Sequence, residues 1–236
     1  ALQDNLPIVK YLIESNRPLI LTNDKNGWIA LHYAGKGGSV SVMETLMQAG
    51  LDINARTNNS ANLLHIAAGN DNLPIVKYVI ENNRPIIVTN DKNGWTALYH
   101  AAEGGSVSMM ETLIQADLDI NARNNDGGNV LHIAALNDNL PIVKYLIENN
   151  RPMILTNNTN GWTALHHAAE GGSVSVMETL IQAGLDINAR TNLGSNVLHI
   201  AALQDNLPIV KYLIESNRPL ILTNDQNGWT ALYYAV

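Results

Sequence analysis

The sequence copies itself every 67 residues. Trp28, Trp95, Trp162 and Trp229 stand at that interval, as do His65, His132 and His199, and the stretches 95–161 and 162–228 differ at only 11 positions. Self-similarity at such a period means modules that cannot hide their apolar faces alone and must cover one another in a stack. Length alone would suggest one or two globular domains for 236 residues, but a linear array has no boundary to find, so the protein reads as one continuous domain. A surface that repeats suits holding something, whereas chemistry usually needs one unrepeated constellation.

Bulk properties narrow the function classes. The formal net charge is −7, and no 67-residue unit carries more Lys and Arg than Asp and Glu, so no basic stripe is available to neutralise phosphates. Nucleic acid and anionic membrane are therefore poor partners. No apolar run approaches the roughly 18 to 20 residues that span a bilayer, and no signal peptide is visible. The protein has no cysteine, which excludes disulfides, thiolate metal sites and a cysteine nucleophile, and fits a reducing, intracellular and cytoplasmic setting. Asn is abundant, at 32 residues, and many fall where turns are expected, as suits a residue whose amide caps backbone groups.

Each 67-residue unit splits into two similar halves, because Leu131-His132 returns at Leu165-His166 and again at Leu198-His199. The first kind of half reads Gly161-Trp162-Thr163-Ala164-Leu165-His166-His167-Ala168-Ala169-Glu170-Gly171-Gly172, then a helical stretch from Ser173 to Ala183, then Gly184-Leu185-Asp186-Ile187-Asn188-Ala189-Arg190. The second kind reads Asn196-Val197-Leu198-His199-Ile200-Ala201-Ala202, then Leu207 to Glu215, then Asn217-Arg218-Pro219. In the second helix of the first kind, Val174, Met177, Leu180 and Ile181 recur at helical spacing behind Ser173 as N-cap. In the second kind, Ile142, Val143, Leu146 and Ile147 form the buried stripe, Asn139 is the cap and Pro141 sits harmlessly in the first turn. Gly50 and Gly184 are expected to end one kind of helix. Asn16, Asn83, Asn150 and Asn217 end the other, as residues that accept the left-handed conformation of a C-cap, and Asp117 substitutes there in one module.

This pattern resembles the ankyrin repeat, with its Gly-x-Thr-Pro-Leu-His-x-Ala-Ala opening, Gly turn, second helix and Gly-Ala-Asp-x-Asn close. The resemblance covers the whole sequence and implies an all-α solenoid of helix-turn-helix units with hairpin fingers. Six complete repeats would lie at 27–60, 61–93, 94–127, 128–160, 161–194 and 195–227, with half repeats at 1–26 and 228–236. Ala30, Ala97, Ala164 and Ala231 stand where the family usually has Pro, a mild change because Ala forms helix well. A first helix should be finishing at Ala1-Leu2, and neither end carries a polar capping repeat, so the expectation is a longer natural polypeptide whose excised ends fray or associate.

The histidines His32, His65, His132, His166 and His199 form a ladder one module apart, and packed helices stand roughly 8 to 10 Å apart, so these rings are not expected to converge on one metal ion. The resemblance implies that they bond to backbone across the turns instead, with Tyr99 and Tyr233 in their place in two modules. His100 and His167 lie one residue further along and are expected to be exposed. No His-Glu-x-x-His, Gly-x-Ser-x-Gly or phosphate loop is present, and the Asn-Asp-Lys-Asn-Gly stretch at 23–27 lacks the regular acidic ligands of a calcium loop. Asn54, Asn121 and Asn188 resemble sites that an asparaginyl hydroxylase modifies in ankyrin repeats, with a structural role as the default reading.

The resemblance places Trp28, Trp95, Trp162 and Trp229 on the fingers at the edge of a concave face. There a tryptophan can serve as a binding anchor, or pack on the neighbouring finger. Lys25 and Lys92 on the fingers, with Glu103, Glu170, His100 and His167 near the first helices, extend that candidate partner-binding surface, and Lys36 opposite Glu103 and Glu170 makes it nonuniform along the array. The expected function is a non-catalytic protein–protein interaction scaffold without cofactor or metal. The alternatives are the recognition arm of a larger effector, toxin or enzyme, delivered into a host cell in the first case, or a self-assembling rod with head-to-tail contacts.

Overall fold

The computed structural model describes residues 5–236; the helix end expected at Ala1-Leu2 lies outside them. Among the described residues the secondary structure is helical, without strands. The protein gathers into two compact units, Ala1–Ile120 and Asn121–Val236. The first holds α1 (Leu6–Ser15), α2 (Ala30–Gly37), α3 (Val40–Gln48), α4 (Leu63–Gly69), α5 (Leu73–Asn82), α6 (Ala97–Gly104) and α7 (Val107–Gln115). The second holds α8 (Val130–Leu136), α9 (Leu140–Asn149), α10 (Ala164–Gly171), α11 (Val174–Gln182), α12 (Val197–Leu203), α13 (Leu207–Ser216) and α14 (Ala231–Tyr234). Short 3₁₀ turns at Arg17–Leu21, Arg84–Ile86, Arg151–Leu155 and Arg218–Leu222 follow the second helices of alternate modules.

Each unit is built in two layers. In the first unit α2, α4 and α6 pack side by side, while α1, α3 and α5 form the second row. In the second unit α8, α10, α12 and α14 make one row and α9, α11 and α13 the other. The first-helix rows pack closely because their contact faces are small: Ala67, Ala68, Ala101 and Ala102 are fully buried, as are Ala134, Ala135, Ala168 and Ala169. Gly171 lies so near the Leu136 carbonyl that no Cβ would fit. The second rows supply the bulk, with Met43, Ile75, Val76 and Met110 in one unit and Ile142, Val143, Met177 and Leu180 in the other, all essentially inaccessible.

The helix starts follow the sequence. Ser39, Ser106 and Ser173 cap α3, α7 and α11, their hydroxyls accepting the backbone N–H of Val42, Met109 and Val176 at 3.1, 3.3 and 3.2 Å. Such a cap contributes about 1 kcal/mol. Asn139 occupies the N-cap position of α9 as expected. The helix ends correct one expectation. Gly50, Gly184 and Asp117 take positive φ, but Asn16, Asn83, Asn150 and Asn217 have φ between −145° and −155°. Each of these asparagines closes one helix and stands at once in the N-cap position of the following 3₁₀ turn at Arg-Pro, where its carbonyl accepts the turn's first N–H at 3.0–3.2 Å, a place that does not call for left-handed backbone.

Candidate functional site

The fingers are organised by a residue four positions before each tryptophan. The Asp24 Oδ1 accepts the backbone N–H of both Asn26 and Trp28 at 2.8 Å, and Asp24 N–H donates to the Trp28 carbonyl at 2.9 Å. Asp91 holds Asn93 and Trp95 in the same way, Asp225 holds Asn227 and Trp229, and Asn158 does so with its amide oxygen for Asn160 and Trp162. These hydrogen bonds hold the Asp24 carboxyl below its ordinary value, the Trp28 N–H contributing most. Burial pushes Asp91 up, but His100 and the Trp95 N–H together bring it below the usual range. The acid of the faint calcium motif at 23–27 thus serves as a turn latch.

The latch has a second arm. The Asp24 Oδ2 accepts from the Tyr33 hydroxyl at 2.8 Å, Asp225 Oδ2 accepts from Tyr234 at 2.8 Å, and His100 Nε2 stands 3.3 Å from Asp91 Oδ2. Sequence reasoning passes over this role of Asp24, Asp91, Asn158 and Asp225, and over Tyr33 and Tyr234 as partners. The signal is nonetheless present, as an Asp or Asn four residues before Trp and a Tyr or His five residues after it.

Each indole lies on the first helix of its own module. Trp28 contacts Tyr33 and His32 with ring centroids 5.2 and 6.0 Å apart, and Trp95 contacts His100 and Tyr99 at 5.4 and 5.7 Å. Trp162 meets His167 and His166 at 5.1 and 5.9 Å, and Trp229 meets Tyr234 and Tyr233 at 6.0 and 6.3 Å. The rings each indole touches belong to its own module, because residues four and five on from the tryptophan fall on the helix face beneath it. Trp28, Trp95 and Trp162 remain half-buried, and Trp229 is 49% exposed.

His100 and His167 are corrected as well. Their side chains are only 18% and 15% exposed, since each ring is wedged between its own tryptophan and the histidine of the preceding module. His65 and His100 lie 5.2 Å apart edge to face, and His132 and His167 lie 5.3 Å apart. The ladder thus brings rings into contact in pairs, which the interaxial spacing alone does not suggest. No group of three or more metal-ligating side chains is found among the described residues. Glu103 and Glu170 stand 3.8 and 3.4 Å from the Nδ1 atoms of His100 and His167. Lys36 Nζ lies 6.0 Å over the Trp28 ring, and Lys25 and Lys92 are exposed on the fingers.

Three of the ladder histidines, His65, His132 and His199, tie one module to the next through backbone. His65 Nδ1 accepts the Asn62 N–H at 3.2 Å, which leaves Nε2–H to donate to the Trp95 carbonyl at 3.1 Å. His132 and His199 likewise reach Trp162 O and Trp229 O at 3.2 and 3.0 Å, and His32 reaches Ala55 O at 3.1 Å. Burial lowers His65 and His166 to about 4 and His132 to about 3, and lowers His32 and His199 in the same direction. These rings are therefore neutral at physiological pH. Asn54 and Asn188 are engaged too, their amide oxygens accepting from Asn83 and Asn217 at 3.1 and 2.9 Å, as Asn121 accepts from Asn150 at 2.9 Å.

Successive fingers are stitched by backbone bonds, with Asn58 N–H on the Asn26 carbonyl and Lys92 N–H on Asn59 O in the first unit, both at 2.9 Å. Asn192 N–H bonds Asn160 O in the second, also at 2.9 Å. Between the first two fingers lies an open polar cleft of about 590 Å³, lined by Asp24, Trp28, Tyr33, Lys36, Thr57 and Asn58 among others.

Family models for ankyrin repeats match residues 1–57, 51–124 and 116–191 in one form and 180–235 in another, and so cover nearly the whole sequence. The chain belongs to the ankyrin-repeat family. Among similar proteins, the human B-cell lymphoma 3 protein is 29% identical over 86% of this chain and 46% of its own length. The nuclear factor NF-kappa-B p105 subunit of Gallus gallus is 28% identical over 75% of this chain and 19% of its own. The palmitoyltransferase AKR1 of Lachancea kluyveri is 28% identical over 63% and 21%. The ankyrin array spans less than half the length of each of these relatives. No helix among the described residues is long and apolar enough to cross a membrane.

Proposed function

We propose that this ankyrin array is a non-catalytic scaffold that binds a partner protein through its fingers and first-helix faces. The tryptophans Trp28, Trp95, Trp162 and Trp229 act as anchors, flanked by Lys25, Lys92, Glu103, Glu170, His100 and His167. The observation that carries this reading is the presentation of the indoles. Each is fixed by an Asp or Asn latch at its backbone and by two aromatic or imidazole rings beneath it, yet keeps a solvent-facing surface. A rigid, partly exposed tryptophan binds at low entropic cost, which is what a hot spot requires.

The test compares capture of proteins from a cell extract by the immobilised protein and by a Trp95→Ala/Trp162→Ala variant. A captured partner should lose at least about 1 kcal/mol of affinity, a fivefold or greater change, while far-ultraviolet dichroism stays unchanged. Equal affinity for both proteins, with a fall in melting temperature for the variant, would make the tryptophans structural and remove the proposal.

A further inference from the structure

The four finger tips carry the same dipeptide, Asn26-Gly27, Asn93-Gly94, Asn160-Gly161 and Asn227-Gly228, and all four asparagines are exposed. Each glycine has φ between +77° and +80°. Asn followed by Gly is the pair best placed to cyclise, because a residue without Cβ lets its backbone nitrogen approach the amide carbon of the preceding side chain. We infer that the finger tips are sites of spontaneous covalent modification, where asparagine closes to a succinimide and reopens as aspartate or isoaspartate. The Asn227 Nδ2 amide donates to Asp225 Oδ2 at 3.4 Å, and five of the other exposed asparagines have a partner for their side-chain amide. Asn54, Asn121 and Asn188 have their amide oxygens engaged by Asn83, Asn150 and Asn217, while the Nδ2 amides of Asn82 and Asn149 donate to the Tyr78 and Tyr145 carbonyls at 2.8 Å.

The chemistry needs only water. The glycine nitrogen attacks Cγ of the asparagine, forming a new C–N bond as the bond from Cγ to Nδ2 breaks, and ammonia leaves carrying the proton from the glycine nitrogen. Water then opens the imide at either carbonyl. Opening at Cγ restores an ordinary peptide bond and leaves aspartate. Opening at the backbone carbonyl routes the polypeptide through the former side chain as isoaspartate. Either product replaces an amide by a carboxylate, with a gain of one mass unit and one negative charge.

The two products differ in what they do to the finger. Between Asp24 and Trp28, the bonds from Trp28 N–H to Asp24 Oδ1 at 2.8 Å and from Gly27 N–H to Asp24 O at 3.0 Å span the Asn26–Gly27 link and depend on the normal number of backbone atoms. Isoaspartate inserts a methylene there, so the latch opens and the indole loses its backbone anchor. At Trp95, Trp162 and Trp229 the disturbance reaches further, because their carbonyls accept from His65, His132 and His199. Ordinary aspartate leaves the latch in place.

The test holds the folded protein in mildly alkaline buffer at physiological temperature beside a sample unfolded in urea, and maps each peptide by mass and by methylation with an isoaspartyl methyltransferase. The four tip peptides of the folded protein should gain mass about tenfold faster than peptides carrying Asn54, Asn121 or Asn188, since only the tips precede glycine. The methylated fraction should show altered tryptophan fluorescence that an Asn93→Asp/Asn160→Asp variant lacks, and an Asn→Ser change at all four tips should abolish the mass gain there. Tips that stay intact in the folded sample while the unfolded one converts would overturn the inference. So would earlier conversion at Asn54, Asn121 or Asn188.

Discussion

Acidification from about pH 7.5 to about pH 5 should strip this protein of much of its stability, through three buried histidines rather than its carboxylates. His65, His132 and His166 are at most 1% exposed, and burial lowers them to about 4, about 3 and about 4 from an ordinary value of 6.5. Their folded pKa lies below the unfolded one, so between those values the unfolded state binds more protons and stability rises with pH. The contribution is complete above 6.5, shrinks as pH falls, and stops changing only below the folded values. At pH 5 the unfolded state gains about 2 kcal/mol per histidine, from one and a half units at 1.36 kcal/mol each, or about 6 kcal/mol for the three. That compares with total stabilities of roughly 5–15 kcal/mol. The lowered carboxyls of Asp24, Asp91 and Asp225 contribute stability that is present above 3.8 and lost only as pH falls through their folded values, outside this window. Urea denaturation followed by circular dichroism at the two pH values measures the effect. His132→Gln, whose amide can still donate to the Trp162 carbonyl without titrating, should reduce the pH-dependent loss by about one third. A denaturation midpoint that is flat or rises on going to pH 5 would refute the assignment of these rings as buried and neutral.

Removing the finger latch with Asp91→Ala should destabilise the protein by about 1–2 kcal/mol, because two backbone N–H groups lose an ionised acceptor. Asp91→Asn should be nearly neutral, since Asn158 already fills the same place in another module; thermal melts of the two variants check this. Gly161→Ala should lower the unfolding midpoint by at least about 1 kcal/mol, because its φ is +77° and an added Cβ would stand 2.5 Å from Asn192 Oδ1 and 2.8 Å from its backbone nitrogen. Urea titration of that single variant is sufficient.

The period, the helix stripes, the serine caps and the ladder of histidines are all legible in the residues, because they depend on local spacing. A stripe at helical period needs a neighbour, and a serine ahead of it needs a free N–H, whatever the rest of the protein does. The asparagines after the second helices read as left-handed caps but keep negative φ, for the local reason that Arg-Pro restarts a turn at once. What lies beyond the sequence is where loops and rings meet across modules. Asn62, Asn129 and Asn196 cap α4, α8 and α12 and also donate to Thr89, Thr156 and Thr223, each at 2.6 Å, a contact between residues 27 apart. His65 meets His100 and His132 meets His167 across 35 residues, which hides two side chains expected in solvent. These distances follow from how closely the Ala- and Gly-faced first helices stack, and stacking distance is a property of two surfaces together. Sequence alone determined which side chains each module turns inward; the packing of one module on the next decided which of those side chains touch, and left each tryptophan braced from below with its outer face in water.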